Sequence, residues 1–338
     1  MKASIIKQVL KYILLLLISL ALLWFALRGV ELNELAGRIS EVEWSWVTLS
    51  LLASFISLIL RAFRWKLLLK PVGYSPTLGI TFNSLMVGYL ANFALPRFGE
   101  VARCGVLRKN AGIPMPTSFG TVLAERALDL IMLLLAVGVT LLLEFNRLED
   151  FLAEVFSGES RFSSTTLVWL LVAGAVLGSV SIYLWRIYHL RLMQFKLYQK
   201  VIGFGSDLLA GLLSIRKIEH QLAFWTSTLL IWVLYYYMTY LILFSLPHIS
   251  NINFLVGLAL LAMGGIAMAA PVQGGIGTYH VLVSGVLMLY GLSRGDAAFL
   301  TLLMHTSQSL FVIIIGSICL LISLLKGTKA LQDEAKPA

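Results

Sequence analysis

The sequence has 338 residues, of which 59% are hydrophobic and 13% charged, with a formal net charge of +9. Soluble domains carry about 25% charged residues, so this composition excludes a soluble globular domain and predicts an all-α polytopic membrane protein. Two cysteines give no disulfide framework, and the five histidines show no metal-binding spacing. No nucleotide-binding loop is present. We therefore expect no cofactor, no metal and no nucleic-acid partner.

Hydrophobic segments long enough for membrane helices recur along the chain. A helix needs about 20 apolar residues to cross the hydrocarbon core of a bilayer. No cleavage site follows the first segment, so it is predicted to be an uncleaved span. We predict about eight spans by this criterion. They are 8–28, 44–64, 117–143, 165–186, 221–246, 254–271, 276–292 and 297–325.

The charges between the spans predict the orientation, because basic segments stay on the cytoplasmic side. Segments 61–70 and 186–219 are net basic, whereas 28–43 and 144–161 are net acidic. Both chain termini are therefore predicted to be cytoplasmic. The remaining predicted segments are an external amphipathic part of 1–43, an external loop at 146–164, a cytoplasmic amphipathic helix at 188–218 and a cytoplasmic tail at 327–338.

One apolar stretch does not fit this pattern as a span. Residues 71–96 are uncharged and lead directly into a charged segment that begins at Arg97. If this stretch crossed the bilayer, the later acidic loop would be cytoplasmic and the later basic loop external, against the orientation rule. We therefore predict that 77–109 is a re-entrant helical hairpin entered from the cytoplasm, with its tip near Pro96. The alternative is a single basic loop that defies the rule.

Two parts of the sequence, 44–145 and 221–326, resemble each other and predict an inverted-topology repeat. "ALPRFGE" at 94–100 resembles "AAPVQGG" at 269–275, and a long apolar span follows each. Proline and glycine interrupt helices, and in many transporters such interruptions meet near the midplane and form the binding site. The predicted helix breaks are Pro96, Gly99, Pro271, Gly274, Gly275 and Gly277.

Charged residues inside predicted spans indicate a functional site, because they are costly in a membrane. Glu125 and Asp129 share one helix face, and Arg126 is spaced to pair with Asp129. We predict a charge network with the hairpin, whose arginines would bind phosphate bidentately. A purely structural ion-pair cluster is the alternative. The predicted substrate-binding residues are Arg97, Glu100, Arg103, Glu125, Arg126, Asp129, Asn92, Arg61, Gln273 and His305.

Other polar and aromatic positions have simpler interpretations. For Arg61, Arg64 and Lys66, anchoring at the membrane interface is the preferred interpretation. His305 occupies the Glu125 position of the second half, and a lone buried histidine is more often structural than a proton relay. The aromatic run at 232–240 is interpreted as a packing or lipid-facing surface.

The motifs "NFALPRFGE", "ERALD" and "PVQGGIG" resemble those of the transmembrane region of lysylphosphatidylglycerol synthases. The resemblance covers most of the chain, residues 10–325. It departs from the family pattern at Arg97, which follows Pro96 directly, and after Gly277, where Thr278 and its neighbours replace the usual charged continuation. The resemblance implies a flippase-like domain that moves an anionic or lipid-linked substrate. It also implies stand-alone members that are considered with glycosyltransferases and polyprenyl-linked sugars.

Our leading expectation is a flippase-like transporter in a bacterial or archaeal cytoplasmic membrane. Its substrate would be an anionic phospholipid or a polyprenyl-phosphate-linked sugar, bound through the phosphate. The alternatives are an intramembrane transferase acting on a polyprenyl phosphate, with Glu100 or Glu125 as base, and a membrane partner subunit of a glycosyltransferase. No catalytic motif is recognised, so no enzymatic activity is expected. The chain ends shortly after its last predicted span, so no aminoacyl-transferase domain is expected, and an oligomer is compatible with the sequence.

Overall fold

A computed structural model of the chain describes residues 16–17, 19–29, 37–95, 98–144, 194, 215–249, 252–270 and 272–334. Regular structure in this part of the chain is entirely helical, and no strand occurs in it. The main helices are α1 (Trp44–Leu69), α2 (Leu78–Ala94), α3 (Gly99–Ala111), α4 (Met115–Leu143), α5 (Gln221–Tyr240), α6 (Phe254–Ala269), α7 (Thr278–Leu289) and α8 (Arg294–Glu334).

Short 3₁₀ turns extend or connect these helices. Two of them continue a long helix, α1 at Lys70–Val72 and α5 at Leu241–Ser245. The other two are Ile215–Lys217, which precedes α5, and Gln273–Gly275, which lies between α6 and α7. Residues 19–27 are also helical.

Four segments in the described residues are long and apolar enough to cross a membrane, namely Trp44–Val72, Met115–Leu143, Gln221–Ser245 and Arg294–Leu325. Helices α2 and α6 are apolar but shorter. The prediction of an all-α polytopic membrane protein is therefore confirmed. The predicted span at 165–186 and nearly all of the predicted amphipathic helix at 188–218 lie outside the described residues.

Helices α2 and α3 form an antiparallel hairpin whose arms touch through glycine. A Cβ atom added to Gly88 would lie 2.8 Å from the carbonyl oxygen of Gly99, so the two backbones pack closer than side chains allow. The Gly99 N–H donates to Asn92 Oδ1 at 2.7 Å, which fixes the start of α3 against the end of α2. Pro96 and Arg97 at the tip lie outside the described residues. That the hairpin enters and leaves the bilayer on the cytoplasmic side stays a prediction.

A second interruption separates α6 from α7. The φ angles of Gly274, Gly275 and Gly277 are 57°, 75° and 85°, a region that favours glycine over every other residue. Gly274 lies against Phe93 near the end of α2, because a Cβ atom added to it would meet that ring at 2.8 Å. The last turn of α2 is therefore in contact with the second interruption. Pro271 lies outside the described residues, and the inverted repeat stays a prediction.

The hairpin contact can be tested with a matched pair of glycines in α3. In Gly99→Ala the new methyl group would collide with the Gly88 carbonyl and with Asn92, whereas the same methyl at Gly105 meets nothing within 4 Å. Overpacking costs about 1–3 kcal/mol, so Gly99→Ala should lower the thermal unfolding temperature in detergent. Gly105→Ala should leave this temperature unchanged or raise it, since alanine favours helix. Equal effects of the two substitutions would contradict the close contact.

The predicted topology can be tested by labelling single cysteines in a chain without Cys104 and Cys319, both of which are buried. Lys109 and Ser40 are exposed positions, predicted to lie on opposite sides of the membrane. In oriented vesicles, a membrane-impermeant maleimide should label Lys109→Cys from the cytoplasmic side and Ser40→Cys from the external side. Labelling of both from the same side would contradict the re-entrant hairpin.

Candidate functional site

Charged side chains from three helices meet between α1, α3 and α4. Helix α1 supplies Arg61 and Arg64, one turn apart, and α3 supplies Arg103. Helix α4 supplies Glu125 and Asp129, whose i,i+4 spacing places both carboxylates on the same face. These five side chains are called the inner network below.

Glu125 is the centre of the inner network. Its carboxylate is fully buried, with 0% exposure. The Oε1 atom accepts hydrogen bonds from Arg61 Nη2 at 2.5 Å and from Arg64 Nη2 at 3.4 Å. The Oε2 atom accepts from Arg103 Nη1 at 2.9 Å. One carboxylate therefore connects the hairpin arm α3 to the spanning helix α1.

Asp129 reinforces the same two arginines of α1. Its Oδ2 atom accepts from Arg61 Nη2 at 2.8 Å, and its Oδ1 atom accepts from Arg64 Nη2 at 2.6 Å. Each of these guanidinium groups thus bridges both carboxylates of α4. Such charge-assisted bonds are among the strongest in proteins.

Aromatic side chains surround the arginines. Arg61 Nη1 donates to the hydroxyl of Tyr235 at 2.7 Å, and the guanidinium lies 5.8 Å from the ring centroid of Tyr89. The guanidinium of Arg103 lies 4.7 Å from the centroid of the Trp65 ring. These cation–π contacts and the tyrosine hydroxyl stabilise arginine charge that is removed from water.

The inner network contains more positive than negative charge. Its three arginines face two carboxylates. Within the described residues, several of the buried guanidinium N–H groups have no hydrogen-bond partner: Arg61 Nε, Arg64 Nε and Nη1, and Arg103 Nε and Nη2. An unpaired buried donor is costly. The unpaired donors and the excess charge both suit an anion.

A second ion pair, called the outer pair below, lies beside this network. Arg126 Nη2 is 3.0 Å from Glu100 Oε1, and the two side chains are 38% and 22% exposed. Arg126 follows Glu125 directly in α4 but faces α3. The outer pair is therefore the more exposed part of the charge cluster.

The structure brings together Glu100, Arg103, Glu125, Arg126 and Asp129, as the sequence suggested, but it corrects two interpretations. Arg61 and Arg64 are not interfacial anchors, because they are 4% and 0% exposed and face α4. The predicted pairing of Arg126 with Asp129 is also wrong. Asp129 is turned towards α1, whose two arginines bind its carboxylate.

The buried polar face of α1 and the contacts of Tyr89 and Tyr235 with Arg61 were not identified from the sequence. Ser50, Ser54, Ser57, Arg61 and Arg64 are all buried and recur at intervals of three and four residues along α1. This spacing is the signal that would have placed both arginines on the packed face. Tyr89 and Tyr235 were hidden among other apolar and aromatic residues, although a tyrosine hydroxyl inside a span usually needs a polar partner.

The other predicted residues have separate positions. Asn92 uses its side-chain oxygen to bind the Gly99 N–H, so its contact is structural. Arg97, predicted as a phosphate-binding residue, lies outside the described residues. Gln273 lies half-buried in the turn between α6 and α7.

Among the described residues, two histidines contact the second helix interruption. His305 Nε2 is 2.8 Å from the carbonyl oxygen of Gly274, and the N–H of Gly277 donates to Nδ1 of His280 at 3.3 Å. The ring centroids of His280 and His305 are 4.7 Å apart. Both histidines thus hold the backbone of the turn. The described residues contain no group of three or more His, Cys, Asp or Glu placed to bind a metal ion.

Four helices of the described residues that are able to cross a membrane, a helix interruption packed against α2 and a buried charge cluster define a polytopic membrane protein with a polar centre. The chain belongs to the family described as the lysylphosphatidylglycerol synthase TM region, whose family model matches residues 12–316. The family resemblance noted in the sequence is therefore confirmed. No solved structure matches the chain.

Three curated proteins illustrate the relationship. UPF0104 membrane protein PH1989 of Pyrococcus horikoshii is 26% identical over 318 residues, which cover 87% of this chain and 91% of that protein. UPF0104 membrane protein MJ1595 of Methanocaldococcus jannaschii is 26% identical over 173 residues, 49% of this chain and 51% of that protein. Glycosyltransferase AglD of Haloferax volcanii is 24% identical over 113 residues, 33% of this chain and only 18% of that protein.

The inner network should be essential for folding. Glu125→Gln would leave three buried arginines with a single carboxylate, and removing one member of a buried ion pair costs about 3–5 kcal/mol. We expect a large loss of folded protein and a lower thermal unfolding temperature in detergent. Adding Arg103→Gln should restore part of the stability, because it removes the cation that faces Glu125 Oε2.

A control for this experiment is Glu219→Gln. Glu219 pairs with Lys70 at 3.5 Å but is 75% exposed, so the pair contributes little. Its thermal unfolding should match that of the parent protein. A Glu125→Gln variant as stable as this control would show that the inner network is well solvated.

Proposed function

We propose that this protein is a flippase-like transporter that moves an anionic phospholipid or a polyprenyl-phosphate-linked sugar between membrane leaflets. The observation that carries the proposal is the charge cluster, in which a buried excess of arginine lies beside an accessible arginine, Arg126. The chemistry of the headgroup, the depth of the cluster and the helix interruptions support it.

The headgroup chemistry fits the cluster. A phosphodiester carries one negative charge, which equals the excess positive charge of the inner network. Phosphate oxygens accept hydrogen bonds from the planar guanidinium fork in a bidentate geometry. The N–H groups of Arg64 and Arg103 that lack partners among the described residues are donors of this kind.

The depth of the cluster also fits. Arg61 lies eight residues before the end of α1 at Leu69, about 12 Å along the helix axis. Glu125 lies ten residues after the start of α4 at Met115, about 15 Å along that axis. Both helix ends are predicted to be cytoplasmic. The cluster would thus offer charge to a headgroup at a depth where lipid tails offer none.

The helix interruptions place irregular backbone close to this cluster. In membranes, non-helical backbone is tolerated only where protein or a water-filled cavity surrounds it. The interruption after α2 precedes Glu100 directly along the chain, and Phe93 in the last turn of α2 contacts Gly274 in the second interruption. Sites of this kind serve many transporters that are built from repeats.

A second function is favoured by one comparison. The relative AglD is named a glycosyltransferase, and the match covers a third of this chain. In this alternative, the protein is either a membrane partner of a glycosyltransferase or a transferase that itself acts on a polyprenyl phosphate. Co-purification with such an enzyme, or sugar transfer by the purified protein, without lipid movement in liposomes would favour this alternative.

The transport proposal predicts a specific effect of Arg126→Gln. The proteoliposome assay follows fluorescent phosphatidylglycerol, which a membrane-impermeant reductant bleaches in the outer leaflet only. A charged hydrogen bond is worth about 1.5–3 kcal/mol, so Arg126→Gln should slow the exchange between leaflets at least about tenfold. It should remain folded, because the buried carboxylates keep the other three arginines.

Lys217→Gln is the matched control, since Lys217 is an exposed cation outside the charge cluster. Its transport rate should equal that of the parent protein. Arg64→Ala should instead lose folded protein, because Arg64 is fully buried against two carboxylates. Absence of phosphatidylglycerol transport by the parent protein would contradict the phospholipid as substrate, and an unchanged rate in Arg126→Gln would contradict the role of Arg126.

A further inference from the structure

We propose that Glu100 is a built-in competitor of the substrate phosphate, so that its carboxylate occupies Arg126 until a phosphate headgroup replaces it. This inference rests on the proposed function, because it assigns Arg126 to phosphate binding. It adds that the contact between Glu100 and Arg126 blocks the phosphate site within the charge cluster. The exposure, geometry and charge of the outer pair support it.

The outer pair differs from the inner network in accessibility. The carboxylate of Glu125 and the guanidinium of Arg103 are almost completely buried, whereas both members of the outer pair are partly exposed. A headgroup that reaches the cluster would therefore meet Arg126 first. The group that it would have to displace is Glu100.

The contact between Arg126 and Glu100 is also incomplete. An arginine and a carboxylate can form two parallel hydrogen bonds, yet this pair is connected by one contact, from Nη2 to Oε1. In the described part of the chain, the buried atoms Arg126 Nε and Glu100 Oε2 have no hydrogen-bond partner. A phosphate could bind the guanidinium through two oxygens, so the exchange would gain a hydrogen bond for Arg126.

Glu100 is well placed to leave. It is the second residue of α3, directly after the hairpin tip, whereas Arg126 is held in the interior of the long helix α4. On release, its carboxylate would remain in the first turn of α3, where the helix dipole favours negative charge. Breaking the contact therefore needs a change only at the start of one helix.

The charges of the cluster balance in such an exchange. Together the inner network and the outer pair contain four arginines and three carboxylates. A phosphodiester on Arg126 adds a fourth negative charge, because the released Glu100 carboxylate stays in the first turn of α3 beside the cluster. The cluster would bind an anion without an increase in uncompensated buried charge, which would be costly.

The test is the affinity of the purified full chain for phosphatidylglycerol in detergent. Neutralising the competitor in Glu100→Gln should tighten binding by about tenfold, the size expected for one charged contact. Glu219→Gln, an exposed glutamate paired with a lysine, is the matched control and should bind like the parent protein. Diacylglycerol, which has the same tails without phosphate, should bind equally weakly to all variants.

Two further variants separate competition from a general structural effect. In Glu100→Gln/Arg126→Gln the gain should disappear, because the phosphate has lost its guanidinium. Glu100→Asp keeps the charge but is one methylene shorter, so it should give an intermediate gain in affinity. It also replaces Glu100→Gln in the test if that variant folds poorly. Inorganic phosphate is a second probe, which shows whether the site recognises a lipid or a free anion. If the variants bind phosphatidylglycerol more tightly but inorganic phosphate no more tightly, the site is assigned to a lipid.

Each result decides between the two proposals. If the parent protein binds and moves phosphatidylglycerol but neither Glu100→Gln nor Glu100→Asp binds it more tightly, Glu100 is not a competitor and the transport proposal stands. If the parent protein moves no lipid but these variants bind phosphatidylglycerol more tightly, Glu100 is a competitor and the transport proposal is wrong. If neither the parent protein nor any variant binds phosphatidylglycerol, the competitor is wrong and so is the transport of this phospholipid.

Discussion

The buried carboxylate of Glu125 is the interaction on which the centre of this protein depends. It accepts hydrogen bonds from arginines of α1 and α3, and it lies on α4, so one side chain holds three helices together. Charged groups removed from water are stable only when they are paired. The packing of the hairpin arm against the spanning helices therefore follows from the need to neutralise Arg61, Arg64 and Arg103. Asp129 shares this task for the arginines of α1.

Buried ion pairs often add little stability compared with apolar packing, but they can specify one arrangement of helices. Here the inner network restricts how α1, α3 and α4 can pack, because a shift by one turn would separate cations from carboxylates. The outer pair is subject to no such restriction, since it is partly exposed and has a single contact. The cluster thus combines a fixed frame with a group that can exchange partners.

Much of this arrangement could be predicted from the sequence. Hydropathy predicted the helical class, and the charges of Glu125, Asp129 and Arg103 indicated a network, because charged residues in spans need partners. Arg61 and Arg64 were misinterpreted because they lie near the end of an apolar run, where interfacial anchors also occur. Only packing decides which face of α1 is buried, although its serines gave a signal. The role of Tyr235 could not be predicted, because its partner lies on a helix far away in the sequence.

The contact between Phe93 and Gly274 has a consequence for how this chain can evolve. The ring of Phe93 occupies the space that any side chain at position 274 would need. A side chain at position 274 would therefore need both a smaller residue at 93 and a backbone that tolerates the φ angle of 57° found there. Positions 93 and 274 therefore restrict each other's replacement, although they are far apart along the chain.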